Sequence, residues 1–303
     1  MIPFERLTLE NKPELDTLLR RASHRGCAFS FVSLYIWGRQ CAARVGDDLL
    51  LFSHYHGKTM YPYPVCSGDA RPAIDAIMAD AKERGIPCRL VSMTDRDTRE
   101  LEEWFPGQFH LRPDRDSFDY VYAIDDLAEL KGRKYQKKRN HVNKFRAQNP
   151  DYRLVALDCC NLDDARRMVD SWFYHRLRSD TEHNYLLENI AMARAFQNYN
   201  ALNMEGAMLI VKGEAVAVTM ATRLDGETLD VHFEKAREDL DGAYPAINCE
   251  FANYLRARHP EIRFLNREDD MGLEGLRKAK LSYQPHHMGE KYWAYRMEDL
   301  HDL

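Results

Sequence analysis

The sequence predicts a chain of α/β (α+β) class in two tandem domains, each a mixed sheet flanked by helices. Three observations lead there. The length, 303 residues, is that of about two domains. Short apolar strands alternate with amphipathic helices along the whole chain. Between the two halves lies a basic stretch: from Lys131 to Pro150 there are eight Lys or Arg and no Asp or Glu, in a chain of net charge −5. The predicted domains are 1–125 and 126–303, the second opening on this stretch.

In the first half, Leu15, Leu18 and Leu19 share a helical face between Pro13 and Arg21. Ser30 to Trp37 reads as a short buried helix. Cys41–Val45 and Leu49–Phe52, split by Gly46-Asp47-Asp48, carry a hairpin signal. Met60–Pro64 is a short strand. A helix opens near Asp69, with Pro72 in its first turn, and stops at Gly85. Arg89–Ser92 is a strand, Thr94 caps a helix through Trp104, and Gln108–Leu111 is extended.

The second half continues with a strand at Tyr152–Leu157, a helix from Asn161 past Tyr174, and another over Asn184–Tyr199. Ala207–Val211 and Ala215–Thr222 flank the Lys212-Gly213-Glu214 turn. Thr228–Phe233 alternates after Asp225-Gly226. Tyr244–Arg258 is helical, with Ile247, Phe251 and Leu255 at i, i+4, i+8. Ile262–Leu265 is a strand, Leu273–Tyr283 a helix ended by Pro285, and Met288–Tyr295 a closing strand.

At 100° per residue, Tyr135, Val142 and Phe145 of the basic stretch fall within about 80° of each other and form its apolar stripe. Lys131 and Lys138, seven apart, point into the same arc; Arg133, Lys137, Asn140 and Lys144 point away. Inward lysines need a partner, because an unpaired buried charge is expensive. Either nearby acids such as Asp125 and Asp126 pair them, or they form an anion site for a phosphate or the acceptor end of an RNA.

No basic region followed by an apolar run opens the chain, and no run approaches the ~20 apolar residues of a membrane helix, so the expected location is the cytoplasm. Seven cysteines without a CxxC read as reduced thiols, the vicinal Cys159-Cys160 included. His54-x-His56 and His286-His287 lack a supporting Cys or acid, and no metal is expected.

Two stretches carry a family resemblance: Glu129-Leu-Lys-Gly-Arg-Lys-Tyr-Gln-Lys-Lys-Arg-Asn-His-Val-Asn-Lys-Phe145, and Leu265-Asn-Arg-Glu-Asp-Asp-Met-Gly-Leu-Glu-Gly-Leu-Arg-Lys-Ala-Lys-Leu-Ser-Tyr-Gln-Pro285. Both resemble the soluble family related to the C-terminal domain of phosphatidylglycerol lysyltransferase. That family is similar to Fem-type aminoacyltransferases and is built from two domains of the GNAT acyltransferase fold. The resemblance implies a tandem GNAT-like fold and, as expectations, transfer of an aminoacyl group from aminoacyl-tRNA to an amine, a hydroxyl or a lipid headgroup. A CoA-dependent N-acyltransferase and a non-catalytic domain binding RNA or an anion are the alternatives.

On the strand Thr228–Phe233, Asp230 and His232, with the following Glu234, point one way. Glu234 or His232 is the expected base, taking a proton from an attacking amine. In CoA-using GNAT enzymes the next loop is glycine-rich and holds the pyrophosphate at a helix N-terminus. Here Arg237–Tyr244 has one glycine, Gly242, and three acids, Glu238, Asp239 and Asp241, so CoA is disfavoured. The chain after Ile262–Leu265, beginning at Asn266, is expected to line a crevice. There Glu268 and Asp269 would recognise an amino group. Lys131, Lys138, Arg277 and Lys280 would supply cations, Lys280 lying near a buried stripe of Leu273, Leu276 and Tyr283.

Overall fold

The computed structural model describes residues 1–55, 57–179 and 185–302. It divides into two compact units, one of Met1–Asp119, Asp269–Leu273 and Gly289–Leu303, the other of Tyr120–Glu268 and Glu274–Met288. The sequence suggested a single cut at Asp125. In the structure each unit is assembled from separated pieces of chain.

The first unit contains β1 (Glu5–Arg6), α1 (Lys12–Leu19), α2 (Phe31–Trp37), β2 (Gln40–Val45), β3 (Asp48–Tyr55), β4 (Lys58–Pro62), α3 (Arg71–Arg84), β5 (Arg89–Met93), α4 (Asp95–Trp104) and β6 (Phe109–Pro113). Local chemistry sets the ends of these elements. Gly46, at φ +63°, turns β2 into β3, where Val45 pairs with Asp48. Gly85 ends α3 in the left-handed region. Thr94 and Asp97 form a capping box at the start of α4. Leu50, Tyr61, Ile74, Ile77, Leu90 and Leu101 meet in the core between sheet and helices.

The second unit follows with β7 (Asp119–Ala123), α5 (Ile124–Glu129), α6 (Gln136–Gln148), β8 (Arg153–Ala156), α7 (Leu162–Ser179), α8 (Tyr185–Gln197), β9 (Glu205–Val211), β10 (Glu214–Arg223), β11 (Thr228–Ala236), α9 (Ala243–Arg258), β12 (Phe264–Asn266), α10 (Glu274–Leu281) and β13 (His287–Gly289). Its sheet runs β13-β7-β12-β11-β10-β9-β8, with β11 and β12 parallel. Ile247, Phe251 and Leu255 of α9 are buried as their spacing predicts.

The last strand, β14 (Tyr292–Arg296), belongs to the first sheet, whose order is β1-β2-β3-β4-β5-β14-β6. It pairs antiparallel with β5 on one side and β6 on the other. The single closing strand expected over Met288–Tyr295 is therefore two strands, one in each sheet. Another departure is α10. Its expected stripe is not a core face: Leu273 is 38% exposed, Leu276 half-buried, and of the three only Tyr283 is buried. Among the described residues no helix is long and apolar enough to cross a membrane.

Candidate functional site

The candidate site is built in the second unit where β11 and β12 run side by side. Asp230 pairs with Asn266, so the chain leaving β12, Arg267 and Glu268, continues beside the later residues of β11. Opposite β10 the register passes from Met220–Phe233 to Ala221–Val231, leaving His232 as the extra residue of a bulge. A bulge re-aims its side chain. This separates Glu234 from Asp230 and His232, which strict alternation would have kept on one face with it.

Glu234 goes with Arg267. Arg267 Nη2 lies 2.8 Å from Glu234 Oε1, and both side chains are nearly out of solvent. Asn248 of α9 donates Nδ2 to the other carboxylate oxygen at 3.2 Å. The guanidinium lies 5.1 Å from the ring centroid of Tyr283 and 5.6 Å from that of Tyr122. Lys138 of α6 stands 3.9 Å above the Tyr283 ring. Lys280 of α10 donates to the carbonyl of Arg267 at 2.5 Å, and Tyr122 Oη donates to the carbonyl of Lys280 at 2.8 Å. Burial, with the charges of Arg267 and Lys137, pulls the Lys138 ammonium down to about 8, while Glu234 works the other way.

His232 goes with Glu268. Its Nδ1 is 3.0 Å from Glu268 Oε1 and 3.7 Å from Asp230 Oδ2; its Nε2 is 2.7 Å from Thr222 Oγ1. Burial lowers the imidazole pKa, opposed in part by Asp230. Glu268 holds a left-handed backbone, φ +55°, and donates its amide to Asn266 Oδ1 at 2.8 Å. The ligand atoms of Asp230, His232 and Glu268 lie within 4.8 Å of one another, the one such group among the described residues. Both imidazole nitrogens already face protein partners, which is the arrangement of a hydrogen-bonded relay between a hydroxyl and a carboxylate. His286 Nδ1 and His287 Nδ1 are 2.9 Å apart and exposed; of the other pair, His56 lies outside the described residues.

The remaining expected residues distribute unevenly. Tyr135, Val142 and Phe145 are buried as predicted, but Lys131 does not share their arc: it precedes the helix, exposed, on Glu129. Arg277 is half-buried on α10. Asp269 belongs to the first unit, where its charge acts on the buried Lys291. Arg267, Asn248, Tyr122 and Tyr283 were not singled out from the sequence as site residues. An Asn in the middle of the apolar run Ala-Ile-Asn-Cys of α9 was the available signal, since Asn favours caps over helix interiors.

The loop before α9 also differs from expectation. Its acids are neutralised: Glu238 by Arg176, Asp239 by Arg237 at 2.7 Å and Asp241 by Lys144 at 2.6 Å. The turn into α9 packs against α6. Gly242, at φ +81°, sits so close to α6 that a Cβ there would lie 2.5 Å from the carbonyl oxygen of His141 and 3.1 Å from Phe145 Cβ.

Against this geometry stand the relatives. The family described as "Phosphatidylglycerol lysyltransferase, C-terminal" matches residues 19–295. The chain belongs to this family. A conserved protein of unknown function from Bacteroides thetaiotaomicron VPI-5482 has 34% identity and a TM-score of 0.90, over 98% of this chain and 100% of that one. L-PGS from Bacillus licheniformis has 15% identity and a TM-score of 0.65, over 94% of this chain and 91% of that one, a likeness of fold. An uncharacterised protein of Mycoplasmoides gallisepticum is 23% identical over 199 residues, 63% of this chain and 60% of that protein's length. The fold is the tandem GNAT-like one that the two sequence stretches implied, and the family resembles acyl and aminoacyl transferases.

Proposed function

We propose that the protein transfers an aminoacyl group from aminoacyl-tRNA to an amine or hydroxyl acceptor, by direct attack on the ester. The observation that carries this reading is the buried Glu234–Arg267 pair, set between Tyr122 and Tyr283 with Lys138 above the Tyr283 ring. Two cations against one acid leave a positive surplus, which suits charge developing on an ester oxygen. Glu234 is the acceptor of the amine's proton, and His232, held between Thr222 and Glu268, braces the strand beside it. Exposed cations at the start of α6, Arg133 in the turn before it and Lys137 on it, form a surface for RNA phosphates. The loop before α9, with Gly242 as its one glycine, lacks the glycine-rich turn of CoA-using enzymes, which favours an RNA-borne donor over CoA.

The test is release of label from bulk radiolabelled aminoacyl-tRNA, in the presence of phosphatidylglycerol vesicles or of a peptide with a free amine. The wild-type protein is expected to move label to one of these acceptors. Glu234→Gln should slow this by about 10²-fold per folded molecule. Turnover of acetyl-CoA with no consumption of aminoacyl-tRNA would replace this reading with the CoA-dependent one.

A further inference from the structure

Asn248 has an unusual place for its residue type. It lies inside α9, 4% exposed, where a buried amide must find partners for both ends. Its orientation is forced. Glu234 only accepts, so the amide must turn Nδ2 toward it, as the 3.2 Å contact has it, and Oδ1 must face elsewhere. There it has no hydrogen-bond partner among the described residues. The same is true of Arg267 Nη1, whose sister nitrogen holds the other oxygen of the same carboxylate. Glu234 thus anchors two side chains, one with an unused acceptor and one with an unused donor, both buried. Unmet buried hydrogen bonds cost free energy and are filled by a ligand or water.

We propose that Asn248 and Arg267 together read a free α-amino group on the acyl donor. The α-nitrogen donates to Asn248 Oδ1, and the neighbouring ester carbonyl accepts from Arg267 Nη1. This rests on the aminoacyl-transfer reading and specifies which acyl groups it admits. An α-amino ester carries a donor and an acceptor three bonds apart; a simple acyl group brings only the acceptor. The cations around the site favour the neutral amine, which still donates. An α-amino group titrates near pH 8 in any case, so little is lost by binding it uncharged.

The experiment compares three probes on the whole protein: alanyl-tRNA, propionyl-tRNA, which differs only in lacking the α-amino group, and uncharged tRNA. The expected result is alanyl-tRNA bound at least tenfold tighter than the other two, with the margin lost in Asn248→Leu. Equal, tight binding of the alanyl and propionyl forms, both above uncharged tRNA, overturns the α-amino reading and leaves aminoacyl transfer standing. Equal binding of all three removes the donor reading and this inference with it. A folded Asn248→Leu protein that keeps the tenfold preference also overturns it, and the wild-type comparison decides if that variant does not fold.

Discussion

The ammonium of Lys138 rests 3.9 Å above the ring of Tyr283, on the same residue whose ring lies 5.1 Å from the Arg267 guanidinium. Two cations therefore share one aromatic ring, with Glu234 as the acid paired to Arg267. A cation gains from a ring face, but two cations this near repel, and burial weakens their hydration.

That repulsion has a pH signature. The Lys138 ammonium is pulled from 10.5 to about 8 in the folded protein, so between those values the unfolded chain holds a proton that the folded one has released. Stability must then rise with pH across that window, and below about pH 8 the folded protein carries the cost of the charged form. Lys138→Met is expected to hold or raise the thermal midpoint at pH 7 and to flatten the rise between pH 8 and 10.5, while weakening tRNA binding. A midpoint falling by many degrees at pH 7 would mark Lys138 as half of a structural pair.

Arg267 and Glu234 should behave as such a pair. Arg267→Met strands a buried carboxylate and should cost about 3–5 kcal/mol in denaturant unfolding. Adding Glu234→Gln to that variant should recover a large part of the loss, because the unpaired charge goes with it. Additive losses would mean that the two do not depend on each other.

Gly242 concerns both stability and the donor. Gly242→Ala combines a strained φ with a contact of 2.5 Å to the His141 carbonyl, so a loss of about 2 kcal/mol or more is expected from chemical denaturation. For the wild type, calorimetry with acetyl-CoA should give a Kd above roughly 1 mM. A micromolar constant would contradict the RNA-borne donor.

The exposed cations at the start of α6, Arg133 in the preceding turn and Lys137 on the helix, make a separable claim. Arg133→Ala with Lys137→Ala should change stability by about 0.5 kcal/mol or less each, since both side chains are exposed. If these cations meet tRNA, the double variant lowers the slope of log affinity against log salt by about two. Lys144 points outward too, but it is paired with Asp241 and should add less. An unchanged slope would place the RNA elsewhere.

Removing β14 tests how the first unit is assembled. A chain ended at Glu290 loses the strand between β5 and β6, with the buried Ala294 and Tyr295. Proteolysis and near-UV circular dichroism should then show the first unit unfolded. A protease-resistant first unit would mean that β5 and β6 close the gap unaided.

Local chemistry was legible in the sequence wherever one residue imposes one conformation. Gly46 and Gly85 set a turn and a helix end, Thr94 a cap, and the spacing of Ile247, Phe251 and Leu255 a buried helix face, because these effects act within a few bonds or one helical turn. The two motif stretches at Glu129–Phe145 and Leu265–Pro285 carried the family and the tandem fold, and Glu234 was singled out from strand alternation together with that resemblance. Tertiary structure decided what distant segments do to one another. The partner of Glu234 lies 33 residues on and depends on β11 and β12 running parallel, which no local pattern encodes. The bulge at His232 breaks the alternation that grouped it with Glu234, because a bulge needs the neighbouring strand's register to exist. Lys131 fell out of its helical arc because the helix starts only at Gln136, and β14 joined a sheet whose other strands ended almost two hundred residues earlier. Pairing across such distances is chosen by the surface each strand buries, and that choice appears only when the whole chain has folded.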